Sequence, residues 1–342
     1  MVTARLVLSL AAVLIAGAAA PAMAEPAYTL TKNTPLGAPD RWDYVVFSAD
    51  AGRVFAAHGD KLAVIDARTG DLVTQIDGIP GGTHGVGISA ATGQGFTDDG
   101  RAGVAVAFDL KSLKLTKQIP ADKDADGIAV DKQTGHIFII EGDPASISVI
   151  DPKTDTVVAT IKAGEKMEYA ATDDHGTLYV AGEEKRDLLK IDARTNTVLA
   201  RWATPDCVSP HGLALDRANH RLFMGCINSI MMVVNADTGK VVAELPIGKG
   251  SDAIAFDSKR KRVFSPNGLD GTITVYQQTG ADLYKVMDTI KTAVSGRTMD
   301  VDSDTGRLFV LAADTDPPAT PGARPRPRPG TLRMMILDPV SK

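Results

Sequence analysis

The sequence predicts an all-β chain folded as a seven-bladed β-propeller, and three observations carry that reading. Seven times, at successive spacings of 41, 42, 42, 43, 41 and 45 residues, a polar residue leads a short apolar strand, a turn and a second strand. A period of about 40 to 45 residues with several short strands in each unit is the mark of a propeller, one four-stranded sheet per repeat. An aromatic recurs in every second strand: Phe55, Phe96, Phe138, Tyr179, Phe223, Phe264 and Phe309. Third strands end mostly in Asp or Asn before a turn, as in Ile65-Asp66, Ile150-Asp151 and Val234-Asn235.

Taken in chain order, Met1 to Ala24 holds one basic residue, Arg5, an apolar run from Leu6 to Ala18, and Ala22-Met23-Ala24 before Glu25. That is the pattern of an export signal peptide, and the run is shorter than the ~20 apolar residues of a membrane span. The mature domain is expected at residues 25 to 342, soluble and periplasmic or secreted, with no membrane span. Tyr28 to Thr34 reads as a strand ahead of the first unit. The seventh unit ends too soon to make its own fourth strand, so this segment is expected to complete the last blade and close the ring, removing exposed sheet edges.

Within each unit, alternating apolar residues and turn residues mark four strands. In the second unit these are Gly85 to Ser89, Gly95 to Thr97, Gly103 to Asp109 and Lys114 to Ile119. The acids closing third strands are read as structural: they bond the turn backbone while glycine supplies the positive φ of a tight hairpin. One stretch breaks the period. Asp314 to Gly330, with Asp-Pro-Pro and Arg-Pro-Arg-Pro-Arg-Pro, is expected to be a surface loop, since repeated proline opposes a strand ladder. Arg324, Arg326 and Arg328 make it a basic spot, either merely solvated or docking an acidic partner.

Lys and Arg number 37 against 42 Asp and Glu, a formal charge of -5 that becomes -6 once Arg5 is removed. A mildly acidic chain with 5% aromatic residues and no basic stripe is a poor candidate for nucleic acid. Cys207 precedes the first strand of the fifth unit and Cys226 closes its second strand, positions that an antiparallel hairpin brings side by side. A disulfide is expected, with free thiols the alternative. The absence of Cys-x-x-Cys and Cys-x-x-Cys-His argues against a dithiol redox site and covalent haem.

The seven leading residues, Asp43, His84, Asp126, Glu168, His211, Asp252 and Arg297, occupy the same point of each unit and are expected to ring one mouth of the central channel. Imidazole and carboxylate together suit zinc, manganese or iron. Units two and five lie across the ring, so His84 and His211 are candidates to approach a central ion or substrate with Glu168. Alternatively, a neutral histidine serves as general base while Arg297 grips an anion. The structural alternative is that acids here bond backbone amides between blades; crowding would raise their pKa values with or without chemistry. Trp42, Tyr44, Met167 and Tyr169 flank the ring as an apolar wall or as inter-blade packing. His58, His136, His175 and His220 are expected at the periphery.

The segments Arg53-Val-Phe-Ala-Ala-His-Gly, Thr177-Leu-Tyr-Val-Ala-Gly and Arg221-Leu-Phe-Met-Gly-Cys-Ile-Asn, each followed by a Val/Ile-Asp/Asn turn segment, resemble the YVTN-repeat, YncE-like family of exported seven-bladed propellers. The resemblance covers nearly all of Tyr28 to Pro339 and implies a fold more than an activity. Related propellers include lactonases and a streptogramin lyase that uses His, Glu and a divalent metal, but none of their motifs maps onto this chain. There is no Gly-x-Ser-x-Gly, no Walker loop and no His-Glu-x-x-His. The favoured expectation is a module binding a small ligand, metal ion or protein at the ringed mouth. A metal-assisted lyase or lactonase using His84, Glu168 and His211 is the alternative.

Overall fold

Short strands of alternating burial, separated by tight turns, cannot bury both faces alone, and here they are stacked as blades around an axis. The computed structural model describes residues 27–318, 320 and 325–340, so the signal segment and Arg324 lie outside the described residues. Blade 1 runs outward through Val45–Ser48, Arg53–His58, Lys61–Asp66 and Leu72–Asp77. Blades 2 to 6 repeat this antiparallel order, with inner strands Val86–Ser89, Ala125–Val130, Met167–Thr172, Pro210–Asp216 and Ala255–Asp257. In blade 7 the inner three strands are Thr298–Val301, Leu308–Ala312 and Arg333–Pro339, and the outermost is Tyr28–Pro35. That last pair runs antiparallel from Tyr28 opposite Pro339 to Pro35 opposite Arg333, closing the ring.

Seven apolar clusters fill the seven gaps between blades, and each contains one of the recurring aromatics. Phe55 packs with Val86 and Phe108 between blades 1 and 2. Phe309 packs with Val45 and Val54 between blades 7 and 1. All seven rings are buried, each contributing about 2–3 kcal/mol of transfer free energy. The acids closing third strands take the turn role expected of them: Asp66 Oδ1 accepts from Arg68 N and Thr69 N, and Asp192 Oδ1 from Arg194 N and Thr195 N. Asp338 is different, pairing with the Arg307 guanidinium.

Two local expectations need correction. The Arg-Pro segment does form a short ladder, Thr315 opposite Pro327 and Asp316 opposite Arg326. A two-residue pairing needs few donors, and Arg326 retains the N–H that proline lacks. His58 is not peripheral: it is fully buried, with Nε2 2.7 Å from Pro39 O.

Candidate functional site: the ringed mouth of the channel

Each leading residue sits where an inner strand begins, and there the blades touch backbone to backbone. Tyr44 N donates to His84 O at 3.1 Å, Asp252 N to Arg297 O at 3.2 Å, and the Thr298 hydroxyl to Asp43 O at 2.8 Å. Close approach explains the glycine after both ring histidines. A Cβ at Gly85 would lie 2.5 Å from Asp126 O, and one at Gly212 would lie 2.4 Å from Ala253 Cα.

The side chains divide into two groups. On one side His84 Nδ1 lies 2.7 Å from Asp98 Oδ2, while Asp98 Oδ1 accepts from His84 N and Gly85 N. Burial opposes charging of this imidazole, but the Asp98 hydrogen bond and charge, with Asp43 and Asp126 beyond, prevail and raise its pKa to about 9. On the other side, His211 Nε2 lies 3.7 Å from Glu168 Oε1 and 3.6 Å from Asp252 Oδ1. Its Nδ1 is 2.7 Å from Ser209 O. Glu168, His211 and Asp252 thus offer three ligand atoms within 4.8 Å of one another, a grouping that does not include His84.

Arg297 joins the two groups. Its Nε donates to Asp252 Oδ2 at 2.5 Å, another guanidinium nitrogen donates to Trp42 O at 2.8 Å, and the guanidinium lies 5.1 Å from the centre of the Trp42 ring. One guanidinium does not balance four acids. Burial, opposed by Arg297 and assisted by Asp252, raises Asp43 to about 7. Burial and the charges of Glu168 and Asp43 raise Asp126 to about 9. Glu168 is pushed well above the carboxylate range by burial, then Asp252 and Asp43.

Below the ring, Tyr44 and Tyr169 meet across the channel with ring centres 4.4 Å apart. The Tyr44 hydroxyl is buried without a hydrogen-bond partner. Met167, by contrast, belongs to the packing between blades 3 and 4. Above the ring, the Arg-Pro hairpin folds over the mouth, anchored by Gly330 N donating to Asp40 Oδ1 at 2.8 Å. Trp42, Arg297 and Pro327 separate two recesses. One of about 210 Å3 is lined by Asp43, Thr83 and His84. The other, of about 340 Å3, is lined by His211, Asp252, Ile227, Leu269, Val294 and Pro325.

A larger cavity of about 580 Å3 opens at the opposite end of the channel. Several of its charged groups have protein partners: Asp174 pairs with Arg217 at 3.2 Å, and Asp300, though raised to about 6 by burial, accepts from Phe47 N and Val301 N. The ringed mouth, with unbalanced acids and an unpartnered hydroxyl, is therefore the better candidate despite its smaller volume.

The sequence reading identified the ring residues but not Asp98, Ser209 or the position of Pro327. Asp98-Asp99-Gly100 at the end of a second strand was the available signal for Asp98. Cys207 and Cys226 form the expected disulfide, Cα atoms 5.2 Å apart. Arg328 of the hairpin is paired with Asp316 at 2.7 Å, which reduces the basic character of that segment.

Among solved structures, hydrazine synthase of Kuenenia stuttgartiensis aligns with 78% of this chain and 91% of its own at 13% identity and a TM-score of 0.69. A chain of the mitotic checkpoint complex aligns over 99% of both chains at 14% identity and a TM-score of 0.75. At such identities the likeness concerns the fold alone. In sequence, the uncharacterized protein YncE of Salmonella typhimurium is 25% identical over 207 residues, 59% of this chain and 57% of that protein. The chain thus matches little more than half the length of this relative. Residues 44–214, half of the chain, match the family described as a domain of unknown function, DUF5074. The chain belongs to that family and is a YncE-like seven-bladed β-propeller.

Proposed function

We propose that this propeller is an exported binding module that takes a small molecule, or the apolar tip of a protein partner, at the ringed mouth. The observation that carries this reading is the 340 Å3 recess, where Trp42, Ile227, Leu269, Val294 and the Arg-Pro hairpin form an apolar wall beside His211, Asp252 and Arg297. Its volume and its mixture of apolar wall and convergent polar groups suit a small ligand. Because a cation would relieve the repulsion that, with burial, keeps the crowded ring acids protonated, an apolar body bearing a positive end is the favoured chemistry. Export rests on the signal pattern of the first 24 residues and on the disulfide, which persists in oxidising compartments.

The test is thermal denaturation with straight-chain alkylamines and with alkyl carboxylates of equal length. The amines are expected to raise Tm, by linkage, and Leu269→Glu to abolish the rise. Equal effects of amines and carboxylates, or stabilisation that survives Leu269→Glu, would sink the reading. A second reading, turnover of a lactone or similar small molecule, is favoured by the grouping of Glu168, His211 and Asp252 and first requires that an ion be held there.

A further inference from the structure

The tautomer of His211 is set by the chain. Its Nδ1 lies 2.7 Å from the Ser209 carbonyl oxygen, an acceptor only, so Nδ1 carries a proton. That carbonyl is fixed because Ser209 holds a left-handed backbone, φ 46°, and its hydroxyl donates to Glu183 Oε1 at 2.8 Å. Nε2 of the neutral ring is then a bare lone pair facing Glu168 Oε1 at 3.7 Å and Asp252 Oδ1 at 3.6 Å. Neither separation is a hydrogen bond. Both are near the edge of a tetrahedron around an ion with bonds of about 2.1 Å, which is about 3.4 Å. A carbonyl bonded to the far nitrogen is also the usual way a protein aims a metal-binding histidine.

A separate observation points the same way. The Tyr44 hydroxyl, on a side chain 3% exposed, has no partner and lies close enough to the acids for Glu168 and Asp252 to lead the charges acting on it. A water bound to an ion between Glu168 and Asp252 would supply the missing partner.

We propose that Glu168, His211 and Asp252 form a site for a divalent transition-metal ion, zinc or manganese, whose open positions face the 340 Å3 recess. One imidazole nitrogen and two carboxylate oxygens suit these ions better than calcium or magnesium, which prefer oxygen alone. His211 and Asp252 line the recess, giving the ion a route in. Asp252 keeps one oxygen on Arg297 Nε and has the other free for the ion. The inference does not require the recess to bind an organic ligand.

Zinc and manganese would each be titrated calorimetrically into the chelator-treated full mature protein. One equivalent with micromolar or tighter affinity is expected, reduced at least 100-fold by His211→Ala and by Glu168→Gln and unchanged by His220→Ala, a surface histidine paired with Asp237. Far-ultraviolet circular dichroism checks that each variant is folded. Should a variant unfold, cobalt absorption of the unaltered protein decides: visible bands of nitrogen and oxygen ligation support the site, and the spectrum of aqueous cobalt overturns it. Failure of both metals to bind the unaltered protein, or binding that persists in folded His211→Ala, overturns it equally. Loss of alkylamine stabilisation with metal binding intact would overturn only the ligand reading above.

Discussion

At the scale of single residues, the mouth consists of charged groups held near one another by strands that are stable for other reasons. Asp43 and Asp126 have folded pKa values of about 7 and about 9 against a usual value of 3.8. A carboxyl whose pKa rises on folding contributes its stability fully below 3.8 and loses it as pH climbs through the folded value. His84, raised from 6.5 to about 9, has the same sign, its contribution fading as pH passes about 9. The contribution of these three groups to the stability of the metal-free protein should therefore fall between pH 4 and pH 9, opposite in sign to that of acids such as Asp66 and Asp338, whose lowered pKa values withdraw stability only in acid. Asp126→Asn should raise stability by about 1–2 kcal/mol at pH 8 and change little at pH 4, as read by urea denaturation with chelator present. Asp98 is the reverse case, since removing it strands an imidazolium. Asp98→Ala should cost about 3–5 kcal/mol at pH 7 and move the His84 titration, followed by proton NMR, downward by more than one pH unit.

At the scale of elements, the inner strands can crowd the axis because Gly85 and Gly212 lack side chains. Gly212→Ala would push a methyl group against the Ala253 backbone and should destabilise by about 1–3 kcal/mol, measured by equilibrium denaturation. How much the sequence disclosed differs by element. The period, the buried aromatics and the turn acids are written locally, in each strand or the turn beside it, so the blades and the ring were legible. The pairing of His84 with Asp98 joins the beginning of one strand to the end of the next. Its legibility depended on reading that second strand two residues beyond Thr97, to Asp99. The landing of Pro325 and Pro327 on the mouth depends on how a hairpin between two strands folds back, which periodicity does not encode. The grouping of His211 with Glu168 and Asp252, blade 5 between its neighbours 4 and 6, follows from adjacency in the ring. Reading opposite sides of the ring places His84, rather than Asp252, with His211 and Glu168.

For the whole molecule, seven similar interfaces share the load and the closing strand supplies the seventh blade's outer edge. Removing Tyr28 to Pro35 exposes the Arg333–Pro339 edge and strips Tyr28 from its packing against Phe264. Such a truncation should associate or aggregate, visible by light scattering of the purified chain. The disulfide closes a separation of 19 residues within blade 5 and is worth about 3 kcal/mol in the chain-entropy picture. Replacing both cysteines with alanine should cost about 2–4 kcal/mol in denaturant without opening the ring, because its loop lies wholly inside one blade.

The pairing of Tyr28–Pro35 with Arg333–Pro339 also sets an order of events. A chain delivered amino end first presents its opening strand hundreds of residues before the partner arrives, so for that interval the strand must wait with its ladder unmade. Blades 1 to 6 can assemble as they emerge, each from its own four strands, but the circle locks only when the carboxyl-terminal strand comes free. Completion is thus a single late event that reports delivery of the chain as far as Pro339, and a chain cut short anywhere before Arg333 remains an open arc.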